Sequence, residues 1–196
     1  MNIILLNKIL EVFQKSIIPL TLEGVSCGNK IFGAAILKKE DFSLIVAGTN
    51  NEIENPLWHG EVHTLKKFYE LPKEKRPSEK NCLFITSHEP CSLCLSAITF
   101  CGFDNFYYLF PYESSSEDFN IHHDLNILKE VFNIDKGQYL KENSYWKSTN
   151  INDLINEIPK DKQKDIMISL NNIKKTYRKF SDKYQSNKEN NKIPLK

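Results

Sequence analysis

Two cysteines and the residues around them have the spacing of a metal site. Cys91 and Cys94 lie three residues apart at the start of a predicted helix, which places both sulfurs on one helix face. The positive end of that helix lowers thiol pKa values and favours the thiolates that a soft metal binds. The C-x-x-C spacing alone is also compatible with a redox pair, a zinc knuckle or coincidence. Pro90 keeps the redox interpretation open, although a thioredoxin-like context is missing.

A histidine and a glutamate precede this pair on another predicted helix. His59 lies in the first turn of the stretch from Trp58 to Leu71 and supplies a third metal ligand. One imidazole and two thiolates leave the fourth tetrahedral position open, which is typical of catalytic zinc, because its bound water loses a proton near neutral pH. Glu61 is placed to take that proton and return it to a leaving group. The alternative is that His59 and Glu61 only cap a surface helix.

The combined pattern is His59-x-Glu61 followed by Pro90-Cys91-x-x-Cys94, the signature of zinc deaminases that act on nucleobases. The chain therefore resembles the cytidine-deaminase-like superfamily. "HGEVHTL" is similar to fungal-type cytosine deaminases, and "EPCSLCLSAI" is similar to bacterial guanine deaminases and tRNA adenosine deaminases. "IFGAAIL" resembles their first strand, and "ENPLWHGE" resembles their approach to the metal-binding helix. The likeness extends from about Ile31 to Phe110.

This resemblance implies a site and an assembly. It implies one Zn²⁺ bound by His59, Cys91 and Cys94, with Glu61 as the proton shuttle, and a homodimer. Further residues are expected near the substrate, each with an alternative: an ordinary turn for Asn50, a dimer contact for Trp58, and a solvated histidine pair for His123 with His122. The expected substrate-binding residues are Asn50, Trp58, Gly60, His88 and His123, with Gly60 leaving room beside the metal. We expect His63 to lie behind the ligands or at an interface.

The elements that must position these residues alternate between strands and helices. Strands are predicted around Ile31–Leu37, Ser43–Ala47, Cys82–Ser87 and Asn105–Phe110, with an amphipathic helix before the first of them. Crossovers of this kind indicate an α/β fold with partly parallel strands. With the resemblance, we expect a three-layer α-β-α sandwich around a mixed sheet and a C-terminal helical extension.

Charge separates the end of the chain from the rest. The 196 residues carry a net charge of +1, but residues 1–159 hold 15 Lys and Arg against 21 Asp and Glu, whereas residues 160–196 hold 11 against 4. We therefore expect a deaminase domain over residues 1–158 and a basic helical tail over residues 159–196, whose end frays. Removing residues 187–196 should leave activity on a small substrate nearly unchanged.

Composition and the missing targeting signals favour a cytoplasmic enzyme with reduced thiols and no membrane association. The predicted function is zinc-dependent hydrolytic deamination of a small nucleobase or nucleoside of the cytosine, guanine or adenine type. The acidic body favours a small substrate because it would not attract a polyphosphate. One alternative is a deaminase of tRNA or another nucleic acid. The other is a catalytically silent relative whose tail binds a partner, although an intact Glu61 argues against it.

Overall fold

The computed structural model describes residues 3–196. Five strands form one mixed sheet in the order β2-β1-β3-β4-β5. The strands are β1 (Gly33–Lys38), β2 (Leu44–Thr49), β3 (Cys82–His88), β4 (Asn105–Phe110) and β5 (Lys147–Asn150). β1 is antiparallel to both β2 and β3, whereas β3, β4 and β5 run parallel. The prediction of a mixed sheet is confirmed.

Eight α-helices accompany the sheet within the described residues. They are α1 (Ile3–Val12), α2 (Ile18–Ser26), α3 (Gly60–Glu70), α4 (Ser92–Cys101), α5 (Tyr112–Glu117), α6 (His123–Phe132), α7 (Ile151–Asn156) and α8 (Lys164–Asn187). A π-helical turn at Phe13–Ile17 makes α1 and α2 nearly continuous. α3 and α4 cover one face of the sheet, and α1, α2, α7 and α8 cover the other. This arrangement confirms the expected three-layer sandwich with a C-terminal helical extension.

The central strand β3 is buried on both faces, which explains its uninterrupted apolar start. Leu83 and Ile85 pack towards α1 and α8, whereas Phe84 packs towards α3 and α4. Since β2 and β3 are both antiparallel to β1, they run in the same direction and end at the same edge of the sheet. The loops that leave this edge start α3 and α4, so the first turns of these two helices meet there.

The last part of the chain differs from the expected fraying. α8 buries a helical stripe against the sheet's covering helices, and the segment after it folds back, with Ile193 only 2% exposed. Asn191 donates a hydrogen bond from Nδ2 to the carbonyl of Gly28 at 3.2 Å. The polar composition of α8 masks an apolar repeat at three- and four-residue steps, which consists of Ile166, Leu170, Ile173, Tyr177, Phe180 and Tyr184.

Across residues 3–196, every helix falls short of the length and apolar character that crossing a lipid bilayer requires.

Candidate active site

The three predicted metal ligands converge at the sheet edge where α3 and α4 begin. His59 and Cys91 are the residues immediately before the two helices, and Cys94 is in the first turn of α4. The Nδ1 atom of His59 lies 3.4 Å from Sγ of Cys91 and 3.8 Å from Sγ of Cys94, and the two sulfurs are 3.6 Å apart.

These separations fit a zinc ion. Bond lengths of about 2.3 Å to sulfur and about 2.0 Å to nitrogen place the corners of a tetrahedral zinc site about 3.5–3.8 Å apart. The three ligand atoms all lie within 4.8 Å of one another, and both cysteines are buried. Two soft sulfurs and an imidazole nitrogen are the donor set that zinc prefers. The residues present therefore fit zinc at three corners of a tetrahedron.

Electrostatics within the trio prepare it for a metal cation. A hydrogen bond from Cys94 and the adjacent imidazole lower the pKa of Cys91. Burial alone would lower the pKa of His59, but the hydrogen bond and the negative charge of Cys91 outweigh it and raise this pKa to about 9. Burial raises the pKa of Cys94. Protons held by His59 and Cys94 must leave before zinc can bind, so metal affinity should fall at acid pH.

Glu61 lies beside the ligand trio without belonging to it. Its carboxylate is 3% exposed; Oε1 accepts a 2.7 Å hydrogen bond from Thr86, and Oε2 lies 3.2 Å from Sγ of Cys94. Burial, followed by the charge of Cys91, raises the pKa of Glu61. A carboxylate with a raised pKa, fixed next to a metal corner, is suited to accept and return a proton near neutral pH.

A cavity of about 270 Å³ adjoins the ligands. Its polar lining comes from the ligands His59 and Cys91 and from five further residues: Lys30, Glu52, Ser92, His123 and Asp124. Burial and the charge of Cys91 raise the pKa of Asp124 above its usual range. Most of the remaining wall is apolar: Phe32, Pro56, Leu57, Leu93, Ile121, Ile127, Ile193, Pro194 and Leu195. A cavity with few polar groups on an apolar wall is typical of a small-molecule site.

His88 lies at the inner end of the site. It lines a second cavity of about 10 Å³, which has room for about one water molecule, together with Glu61, His59 and Asp124. Its Nδ1 atom lies 2.9 Å from Oγ of Ser87, whereas its Nε2 atom has no hydrogen-bonding partner among residues 3–196. Aromatic rings surround it: Phe32, Phe110, Phe119 and Tyr177.

His88 should make stability depend on pH. Burial lowers its pKa from 6.5 to about 3, so the folded protein keeps this imidazole neutral where the unfolded chain protonates it. The contribution of His88 to the free energy of unfolding is therefore fully present above about pH 6.5 and decreases as the pH falls from there towards 3. At pH 5 the decrease is about 2 kcal/mol. Urea unfolding at pH 7 and pH 5 tests this. His88→Leu should lose about 2 kcal/mol less than the parent between these two values, and equal losses would contradict the expectation.

Three other predicted substrate contacts lie elsewhere. Both ends of the Asn50 amide are bonded to protein, because Oδ1 accepts from the backbone N–H of Gly60 and Nδ2 donates to Glu52 at 2.6 Å. Neither Asn50 nor Trp58 is among the residues that line the 270 Å³ cavity. Gly60 lies close to neighbouring backbone, since a Cβ there would lie 2.8 Å from the carbonyl oxygen of Phe32. The space that Gly60 provides is therefore used by the start of β1.

Of the other histidines singled out from the sequence, only His123 lines the 270 Å³ cavity. His123 is the first residue of α6, and it lines the cavity, with Nε2 lying 2.8 Å from the backbone oxygen of Lys196. His122 precedes the helix and is exposed, bonded to Ser116 and Asn120. His63 is not among the residues that line the 270 Å³ cavity, and its Nδ1 atom lies 2.8 Å from the carbonyl oxygen of Thr49.

Sequence reasoning missed several cavity residues. Lys30 and Glu52 form a buried ion pair at 2.8 Å, and they come from loops before β1 and after β2. Asp124 directly follows a flagged histidine, so its position was a usable signal. Ile193–Leu195 also form part of the cavity wall. Their only signal in the sequence is that they are a short apolar stretch within a polar segment.

Comparison with known proteins agrees with this geometry. Residues 8–110, just over half of the chain, match the family described as the cytidine and deoxycytidylate deaminase zinc-binding region. Over 91 residues the chain is 36% identical to guanine deaminase of Bacillus subtilis (strain 168). This aligned region covers 45% of the present chain and 56% of the relative. The match thus spans little more than half the length of that curated relative.

Solved structures carry the same fold. The structure of guanine deaminase from Bacillus subtilis aligns with a TM-score of 0.51 and 28% identity, covering 74% of this chain and 82% of that one. Guanine deaminase from Nitrosomonas europaea aligns with a TM-score of 0.50 over 85% of this chain and 81% of its own, and at 18% identity it supports the fold alone. From its zinc-binding motif, its fold and the family match, the chain belongs to the cytidine and deoxycytidylate deaminase zinc-binding family.

Proposed function

We propose that the protein is a zinc-dependent hydrolytic deaminase of a free nucleobase or nucleoside, with guanine as the first candidate. The observation that carries this proposal is the small cavity beside the His59, Cys91 and Cys94 trio, with Glu61 buried next to it. The likeness to guanine deaminases favours a purine base, and cytosine, adenine and their nucleosides follow as candidates.

In this proposal His59, Cys91 and Cys94 hold the metal, which when bound supplies a Lewis acid that makes water a stronger nucleophile. Glu61 takes a proton from the attacking water and delivers it to the departing amine, so that water and the amino base give the oxo base and ammonia. Thr86 holds Oε1 of Glu61 and leaves Oε2 on the side of Cys94. The apolar wall excludes bulk water, which strengthens each polar contact with the substrate.

We further propose that His88, His123 and Asp124 contact the base. His88 brings an unpartnered ring nitrogen at the inner end, and Asp124 lines both cavities. A buried polar atom without a partner costs about 1–3 kcal/mol, which a bound substrate would recover. Asn50, whose amide is bonded to Gly60 and Glu52, would act by fixing the start of α3. Trp58 would contribute from outside the cavity, near Lys66.

Two alternatives remain to be tested beside this proposal: a deaminase of tRNA or another nucleic acid, and a catalytically silent protein. The deciding experiment measures ammonia release from the purified zinc-loaded protein on guanine, adenine, cytosine, their nucleosides and tRNA. Turnover of a free base or nucleoside supports the proposal. Turnover of tRNA alone would overturn it in favour of the first alternative, and zinc binding without any turnover would favour the second.

The C-terminal segment should matter for a small substrate. Ile193, Pro194 and Leu195 form part of the cavity wall, so deletion of residues 191–196 opens it to water. We expect kcat/KM on the small substrate to fall about tenfold or more, since burying one such apolar side chain is worth about 1.5–3 kcal/mol. This replaces the expectation that the last ten residues are dispensable. Steady-state kinetics of the shortened protein provide the measurement.

A second variant distinguishes the contribution of the apolar cavity wall from that of the positive charge of the tail. Changing Lys188, Lys192 and Lys196 to glutamine removes three charges and leaves Ile193–Leu195 in place. For a small substrate, kinetics of this variant should match the parent. If it lost as much activity as the deletion, and did so in a salt-dependent manner, phosphate contacts would explain the role of the tail.

A further inference from the structure

A buried ion pair stands behind the imidazole of the metal trio. Glu52 and Lys30 are 3% and 5% exposed, and Oε1 of Glu52 lies 2.8 Å from Nζ of Lys30. The same oxygen lies 3.7 Å from Nε2 of His59. The other carboxylate oxygen accepts a 2.6 Å hydrogen bond from Asn50. Burying two charges is costly, so the pair needs an explanation beyond stability.

The tautomer of His59 supplies one. Nδ1 is the ring nitrogen that faces the two sulfurs, so it is the nitrogen available to a metal. A neutral imidazole that binds a metal through Nδ1 must carry its proton on Nε2. Among the described residues, Glu52 is the acidic side chain within ion-pair distance of that nitrogen, with Oε1 3.7 Å from Nε2.

The geometry points to Glu52 as the positioning residue for the metal ligand His59, with Lys30 and Asn50 holding its carboxylate in place. This inference rests on the proposed zinc site. The Glu52 carboxylate fixes the Nε2–H tautomer, restricts rotation of the ring and makes Nδ1 a stronger donor. Lys30 compensates the negative charge of the buried Glu52 carboxylate. Asn50 joins the carboxylate to the backbone N–H of Gly60, so the support and the start of α3 move together.

Zinc affinity, measured without substrate, tests this role. Competition against a chromophoric chelator should show that Glu52→Gln binds zinc about 10–100-fold more weakly than the parent, which is the usual effect of losing such a support. Because this substitution leaves Lys30 buried without its partner and can impair folding, the double variant Lys30→Met with Glu52→Gln removes both charges. It should show the same weaker zinc binding.

A matched control separates positioning from general loosening of the loop. Asn29 anchors the same loop, because its Oδ1 accepts a 3.0 Å hydrogen bond from the backbone N–H of Ile53, and it does not contact His59. Asn29→Ala should lower the melting temperature of the metal-free protein while keeping zinc affinity within about threefold of the parent, a smaller change than loss of a supporting carboxylate.

Two outcomes would overturn the inference. The first is parental zinc affinity in the double variant, which would leave Glu52 as a substrate contact or a structural charge. The second is an equal loss of zinc affinity in Asn29→Ala, which would assign the effect to loop stability. The proposed function fails separately, since it requires that the parent bind zinc and release ammonia from a small substrate.

Discussion

Glu61→Gln is expected to retain zinc and lose at least about a hundredfold in turnover, the scale of a missing general acid–base. Glutamine keeps the size of the side chain and an oxygen that can accept the hydrogen bond from Thr86. It cannot, however, carry a proton from water to the departing amine. Zinc is retained because the metal-binding trio consists of His59, Cys91 and Cys94. Elemental analysis and ammonia release, measured on the same preparation, provide the test.

Glu54→Gln is the matched control for this substitution. Glu54 is an exposed carboxylate a few residues before the ligands, and its hydrogen-bonding partner is Asn51. Turnover of Glu54→Gln should equal that of the parent. If Glu61→Gln retained turnover within a factor of two, Glu61 would have no part in proton transfer, and the raised pKa of its carboxylate would reflect only burial and the charge of Cys91.

The ligand trio was predictable from sequence because its signal is local. Cys91 and Cys94 are one helical turn apart, and His59 with Glu61 occupies another first turn. Each of these two pairs lies at the start of its helix. Predicting where the two helices begin therefore predicts which four side chains come together at the sheet edge. The crossovers and the resemblance predicted a mixed, partly parallel sheet, but the order of its strands, which determines that both helices begin at one edge, came from the structure.

The supporting residues could not be predicted in this way. Lys30 and Glu52 are 22 residues apart and belong to two loops, so only the folded chain brings their charges within 2.8 Å. The strand β5 was missed because "KSTN" is short and polar, and pairing with β4 rather than an apolar pattern makes it a strand.

The tail was misjudged for a different physical reason. Its net positive charge describes the exposed face of α8, whereas the opposite face carries the apolar stripe that packs on the domain. Composition averages over both faces, but helical periodicity separates them. The return of Ile193–Leu195 to the cavity depends on contacts with residues far away in the chain, such as the bond between Asn191 and Gly28.

Cys91→Ser is expected to abolish stable zinc binding and, with it, activity. Serine replaces a thiolate with a hydroxyl, which remains protonated at neutral pH and is a poor ligand for a soft metal. With about 10–16 kcal/mol of zinc binding shared among few ligands, losing one should reduce zinc affinity at least about a hundredfold. Metal content after gel filtration against a chelator is the measurement.

Cys101→Ser is the control that isolates the ligand role of Cys91. Cys101 is the last residue of α4 and is half-buried, and burial raises the pKa of its thiol. Its substitution changes a thiol to a hydroxyl in the same helix but at the end remote from His59, so about one zinc per chain should remain. Full zinc occupancy in Cys91→Ser would show that the trio is not the metal site. Loss of zinc in both variants would instead show that α4 as a whole must be intact for binding, and the difference between the two variants is therefore what assigns the metal to the first turn of this helix.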